Sequence, residues 1–256
     1  MPRLVLLAVP AVRSAISREL GRDIEYHELI DSTQTRARGL ATAGAVSGVV
    51  VANEQRAGLG TRGRSWHALA GSSLLASWIS HPAPRSPALV AALTGVAIAR
   101  ALEVLGCSDA LLKWPNDVVL AGRKLAGVIA HATSDGGGGT LVLGIGINVH
   151  QRRGDLHTDL ADTATSLAIA GHEIDRLALL AVLTVELDRL RDPAEIAGAH
   201  REWTERSSLL GHGVEVRVDG RTPFAGTATA IDDEGALLVH TAGGIERVIS
   251  GDVRLA

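Results

Sequence analysis

The sequence predicts an α+β fold, with a mixed α/β domain over residues 1–208 and a small β-barrel over residues 209–256. Three features of the pattern lead there. Short apolar runs such as Gly48-Val49-Val50-Val51-Ala52 read as buried strands. Between them lie stretches of helical spacing, for example Leu177, Leu180, Leu183, Leu187 and Leu190. From Gly211 the period changes to two: Val214, Val216 and Val218 alternate with Glu215 and Arg217 before the turn Asp219-Gly220.

Taken in order, Val12 to Leu20 forms a short helix closed by Gly21, and Ile24 to Ile30 a strand. Asp31-Ser32-Thr33 supplies cap chemistry for a helix to about Ala43. Val49 to Glu54 and Ser72 to Ile79 are the next strands. His81-Pro82-Ala83-Pro84 breaks the chain, and Ser86-Pro87 starts a nearly uncharged, hence buried, helix that ends at Gly106. Leu111-Leu112 opens a strand, then Val118 to Leu120, the turn Ala121-Gly122 and Lys124 to His131 make a hairpin. The tetraglycine Gly136 to Gly139 is a turn before the strand Thr140 to Ile145. A polar loop from His150 to Thr165 precedes helices at Arg176–Arg191 and from Pro193 to about Ser207. Ile231, Leu237, Leu238, Val239 and Val248 carry the β pattern to the end.

Composition narrows the function classes. At 256 residues the chain can bury roughly 70–75% of its unfolded surface, so the core needs no staples. The single Cys107 leaves no disulfide framework and suits a reducing compartment. A net charge of −3 gives no general attraction for nucleic acid. No apolar run approaches the ~20 residues of a membrane span. The apolar start from Met1 to Val9 is too short for a signal peptide, and Pro10 interrupts it. These features predict a cytoplasmic protein with no membrane partner.

Four stretches carry chemistry. Gln55-Arg56-Ala57-Gly58-Leu59-Gly60-Thr61-Arg62-Gly63-Arg64-Ser65-Trp66 follows a strand and joins glycines, which allow close backbone approach, to arginines suited to phosphate. Its glycine spacing matches a dinucleotide fingerprint, but no acid occurs between Gly63 and Glu103, and a strand-like run follows where a helix must open. A Walker loop fails as well, because no Lys-Ser/Thr follows the glycines. Taken alone, the stretch is equally a glycine-rich hairpin with exposed arginines. Lys113-Trp114-Pro115-Asn116-Asp117 gathers a cation, an amide and a carboxylate on a stiffened turn. In Gly122-Arg123-Lys124-Leu125-Ala126-Gly127, Lys124 opens an apolar strand, where a lone charge is unusual unless it projects into a site. Gly144-Ile145-Gly146-Ile147-Asn148 again permits close backbone approach.

In this order the four stretches resemble the biotin protein ligases, strongly from Asp31 to Val149 and more loosely to the C-terminus. The resemblance implies a mixed-sheet biotin/lipoate ligase catalytic domain, like that of class II aminoacyl-tRNA synthetases, with an SH3-like terminal barrel. It implies that biotin and ATP, with Mg²⁺, form biotinyl-5′-AMP, and that a lysine of a biotin carboxyl carrier domain then accepts the biotinyl group. Lys124 matches the lysine between carboxylate and phosphate, Lys113 a supporting cation, and Asp117 a carboxylate that handles the acceptor lysine's proton. Ser32, Thr33, Gln34 and Gln55 match the biotin contacts, with Leu59, Gly60, Thr61, Gly127 and Gly146 lining that pocket. Gly58, Arg62, Gly63, Arg64, Asn116 and Asn148 match the adenylate side, and Trp66 the adenine stack. No protein ligand for the metal is assigned, since Mg²⁺ rides on ATP.

Three residues depart from the family pattern. Gln34 stands where the family has asparagine, and Leu59 and Thr61 replace the two arginines of Gly-Arg-Gly-Arg. Only about 25 residues precede the first matched strand, so the resemblance implies no DNA-binding domain and no DNA partner. The expected state is a monomer or weak homodimer. A lipoate or octanoate ligase of the same fold, to which Cys107 could offer a thiol, is one competing reading. A non-catalytic binder of biotin or its adenylate is the other.

Overall fold

A computed structural model describes residues 7–83, 86–133 and 138–256. Met1–Leu6, Pro84 and the first half of the tetraglycine turn lie outside the described residues. The order is α1 (Pro10–Leu20), β1 (Ile24–Ile30), α2 (Thr33–Thr42), β2 (Ser47–Gln55), β3 (Gly58–Leu59), β4 (Ser65–Trp66), β5 (Ser73–Ser80) and α3 (Pro87–Val104). There follow β6 (Leu111–Lys113), β7 (Asp117–Leu120), β8 (Arg123–Ala132), β9 (Leu141–Asn148), α4 (Arg176–Arg189) and α5 (Pro193–Glu205). The last five strands are β10 (Gly213–Arg217), β11 (Phe224–Ile231), β12 (Leu237–Thr241), β13 (Gly244–Val248) and β14 (Asp252–Leu255).

Local chemistry sets the helix ends. Gly21 closes α1 in the left-handed conformation at φ 61°. Ser32 caps α2 by accepting from the Thr35 amide, and Ser86 caps α3 by accepting from the Leu89 amide, with Pro87 at the first position. The β7–β8 turn places Ala121 at φ 49° and Gly122 at φ 74°, the two positive values a tight hairpin requires.

Seven strands form one sheet in the order β1-β2-β5-β9-β8-β7-β6, with β1–β2 parallel and the other pairs antiparallel. On one face α2 packs through Ala37 over Val50, Ile79 and Val142. The helices α3 and α4 cover the other face, with α5 packed on α3, and Trp78 Nε1 donates to Thr184 Oγ1 at 3.2 Å. The sequence expectation that no apolar run approaches a membrane span needs correcting: α3 has 18 residues and a mean hydropathy of 1.6. Its apolar character serves the core, since the stretch from Ala91 to Ala99 is buried against the sheet and α4.

Strands β10 to β14 form a five-stranded antiparallel sheet in the order β13-β12-β11-β10-β14. It does not carry a separate core. Val214, Val216, Leu237, Val239 and Val253 belong to the same buried cluster as Leu112, Trp114 and Leu102. Two hydrogen bonds fix its β11–β12 turn onto the larger domain: Trp114 Nε1 to Gly235 O at 2.9 Å and Ser86 Oγ to Glu234 O at 2.6 Å. Trp114, which the sequence reading placed beside the reactive residues, thus serves as the joint between the two sheets.

Candidate active site

On the α2 face of the sheet lies a cavity of about 810 Å³, roofed by the β3–β4 hairpin. Its deep end is a polar relay. Gln55 Oε1 accepts from the Thr33 amide at 2.7 Å and the Thr33 hydroxyl at 3.0 Å. The Ser77 hydroxyl lies 3.0 Å from Thr33 Oγ1 and 3.1 Å from Gln34 Oε1, while Gln34 Nε2 donates to Val142 O. Thr33, Gln34 and Ser77 are buried and Gln55 is half-buried, so these hydrogen bonds fix orientations with little competition from water. Gln34 packs against Gly144, where a Cβ would overlap its Oε1.

The catalytic candidates meet at the centre. The β7–β8 ladder pairs Asp117 with Gly127 and Val118 with Ala126, then slips so that Val119 faces Lys124. Leu125 is therefore the extra residue of a β-bulge. Because side chains alternate faces along a strand, the slip moves Lys124 onto the face shared by Asp117 and Gly127. Lys124 Nζ lies 2.5 Å from Asp117 Oδ1. Its backbone is clamped as well: its amide donates to Thr163 O at 2.8 Å, and its carbonyl accepts from the Thr165 amide at 2.9 Å. Lys113 lines the same cavity half-buried and forms no ion pair among the described residues.

The roof is a tight hairpin. A Cβ on Gly58 would lie 2.6 Å from Trp66 O, and one on Gly60 2.9 Å from Arg64 O, so both positions need glycine. Trp66 closes over the floor: Cβ atoms on Gly146 and Gly127 would lie 2.6 Å and 3.2 Å from its ring. Its Nε1 is buried without a partner among the described residues, and Lys124 Nζ stands 6.0 Å from its ring centroid. Arg64 turns back onto its own loop, with Nη2 3.3 Å from Thr61 Oγ1. Leu59 is exposed at the mouth.

The structure brings Ser32, Thr33, Gln34, Gln55, Gly58, Leu59, Gly60, Thr61, Arg64 and Trp66 to this one cavity. Lys113, Asn116, Asp117, Lys124, Gly127, Gly146 and Asn148 line it too. Arg62 and Gly63 do not, and Arg62 Nη2 donates instead to Gly251 O at 2.7 Å. Two of the lining amides are already engaged. Asn116 Nδ2 donates to Val128 O at 2.5 Å, while Asn148 Nδ2 donates to Thr165 O and its Oδ1 accepts from Gln151 Nε2 at 2.9 Å. Sequence reading missed Ser77 and Gln151, and named Gly144 only as a glycine permitting close backbone approach. Ser77 carried a usable signal as a polar residue in the interior of an apolar strand, akin to the pattern that exposed Lys124.

Among the described residues no three His, Cys, Asp or Glu side chains are grouped to hold a metal. Cys107 is fully buried away from the cavity, and burial pushes its thiol pKa up, so it supplies no thiolate. Burial likewise depresses the His150 pKa at the end of β9.

Comparisons with known proteins agree with this geometry. Residues 26–148 match the Biotin/lipoate A/B protein ligase family, and residues 209–255 match the Biotin protein ligase C terminal domain. The bifunctional ligase/repressor BirA of Bacillus subtilis is 34% identical, over 97% of this chain and 79% of that protein. The biotin–[acetyl-CoA-carboxylase] ligase of Paracoccus denitrificans is 32% identical, over 87% and 96%. Among solved structures, the biotin protein ligase of Aquifex aeolicus in complex with biotin and ATP superposes with a TM-score of 0.77 at 26% identity, covering 91% of this chain and 99% of that one. With both sheets matched and the lysine–aspartate pair set beneath a glycine-rich roof, the chain belongs to the biotin protein ligase family.

Proposed function

We propose that this chain activates biotin with ATP to biotinyl-5′-AMP and passes the biotinyl group to a lysine of a carboxylase's carrier domain. The Lys124–Asp117 pair, at the junction of the polar deep end and the hairpin roof, carries this reading. In the first step a biotin carboxylate oxygen attacks the α-phosphorus, the bond to the β-phosphate oxygen breaks, and pyrophosphate leaves. Two anions must meet, and Lys124 with Lys113 lowers that repulsion. The Thr33, Ser77, Gln34 and Gln55 array offers donors and acceptors to the ureido ring.

In the second step the acceptor amine attacks the anhydride carbonyl, the bond to the phosphate oxygen breaks, and AMP leaves. A lysine of pKa about 10.4 is almost wholly protonated at neutral pH, so its proton must be taken up. Asp117 is that acceptor once an adenylate draws Lys124 away from it. Mg²⁺ carried by the ATP phosphates would supply charge neutralisation there, held by the nucleotide rather than by assigned protein ligands. The cavity carboxylates Asp117, Asp155, Asp162 and Asp252 are dispersed, which fits a nucleotide-borne ion better than a resident one.

Biotin-dependent exchange of pyrophosphate into ATP, repeated with lipoate and followed by transfer to a carrier domain, is the test. Exchange is expected with biotin, and Lys124→Ala should lower it by about 10²–10³-fold, the scale of one lost charge-stabilising donor. Asp117→Asn should slow transfer more than exchange. Exchange with lipoate but not biotin would replace this reading with the lipoate ligase, and none with either would leave a binder.

A further inference from the structure

Arg62 belongs to the hairpin roof, yet its side chain leaves the cavity. Its Nη2 donates to Gly251 O at 2.7 Å, across a sequence separation of 189 residues. Its backbone sits at φ 56°, a left-handed conformation that non-glycine residues rarely adopt, and Gly63 follows at φ 70°. This turn carries the guanidinium toward the C-terminal sheet. The acceptor is itself well fixed: Gly251 is buried immediately before β14, and a Cβ there would lie 2.9 Å from Arg217 O.

The C-terminal sheet is anchored at its other end beside the reacting groups. Trp114, whose indole donates to Gly235 O at 2.9 Å, is the residue after Lys113, and Asn116 and Asp117 follow on the same turn. The small sheet therefore spans from the Lys113–Asp117 turn to the tip of the roof. The roof's other hold is on the cavity side, where Trp66 packs over Gly127 and Gly146. Leu59 and Thr61 offer no cation, and Arg64 hydrogen-bonds within the loop, to Thr61.

We infer that the C-terminal sheet is a strut that holds the roof over the site, and that Arg62 is the positioning residue through which it acts. This rests on the ligase reading only where retention of the adenylate is the readout. Removing the guanidinium frees the hairpin from Gly251 and lets the adenylate escape sooner, although Arg62 lines no part of the cavity.

Three single variants of the full chain, Arg62→Ala, Arg62→Lys and Arg62→Gly, separate the side-chain bond from the backbone turn. Two readouts apply: backbone amide exchange across residues 58–66 in the ligand-free protein, and the dissociation rate of preformed biotinyl-AMP. Arg62→Ala should speed both by about tenfold, the size of one lost charged hydrogen bond. Arg62→Lys keeps a cationic donor and should recover much of the difference. Arg62→Gly suits the left-handed turn but has no donor, so it should behave like Arg62→Ala. Wild-type exchange in Arg62→Ala, or full recovery in Arg62→Gly, would overturn the strut. If the wild-type chain forms no biotinyl-AMP, the ligase reading fails while amide exchange still decides the strut.

Discussion

Lys124 faces Asp117 because Leu125 is spare. One extra residue in β8 turns the lysine to the cavity face, and the bridge to the 163–165 segment holds it there. A charged residue at the head of an apolar strand was legible in the sequence; the bulge was not, because register depends on the partner strand and leaves no local mark. Thr61 shows the same division. Its departure from the family pattern was plain, but the consequence came only with the fold: its hydroxyl, at the cavity lining, accepts from Arg64. An arginine there would add a charged donor at the roof, worth roughly 1.5–3 kcal/mol where it meets a phosphate. Thr61→Arg should therefore slow release of biotinyl-AMP by about ten- to a hundredfold. The check is a single-turnover release assay on the gel-filtered adenylate complex, and an unchanged off-rate sinks the idea.

At the scale of elements, α2 and β9 are fitted through one pair of residues. Gln34 reaches from α2 to the sheet and occupies the space a side chain on Gly144 would need. Gly144→Ala should destabilise the protein by about 1–3 kcal/mol through overpacking. Gln34→Asn withdraws the amide by one methylene, so the double variant should regain much of that loss. Denaturant unfolding of the four proteins gives the coupling energy, and additive effects would show that the contact is unimportant. Long elements such as α3, β5 and the β7–β8 hairpin were readable because periodicity and caps agree over many residues. The strands β3 and β4 were legible only as the alternative of a glycine-rich hairpin. They have two residues each and exist because Gly58 and Gly60 let opposing backbones approach.

Across the whole molecule a single buried cluster runs from α3 through Trp114 into the C-terminal sheet. The period change at Gly211 marked that sheet in the sequence, but the shared core behind it depends on Gly235 meeting α3, a contact between distant segments. One core implies one cooperative transition, so stability should respond to pH as a single quantity. Burial depresses the pKa of His131 and of His150, which Arg176 lowers further and Asp175 partly opposes. A depressed folded-state pKa stabilises fully above the unfolded value of 6.5 and loses that contribution as pH falls through the folded-state value. Glu25 is depressed too, by its hydrogen bond to Arg36, but from 4.5, so its contribution is lost in a lower window. Thermal melts between pH 7.5 and 5 should thus show one transition whose Tm falls by roughly 2–4 °C, the size of a modest stability change in a chain this long. His150→Gln should flatten that slope while leaving the decline below pH 4.5 in place. A His150→Gln profile parallel to wild type between pH 7.5 and 5 would remove the histidine from the account.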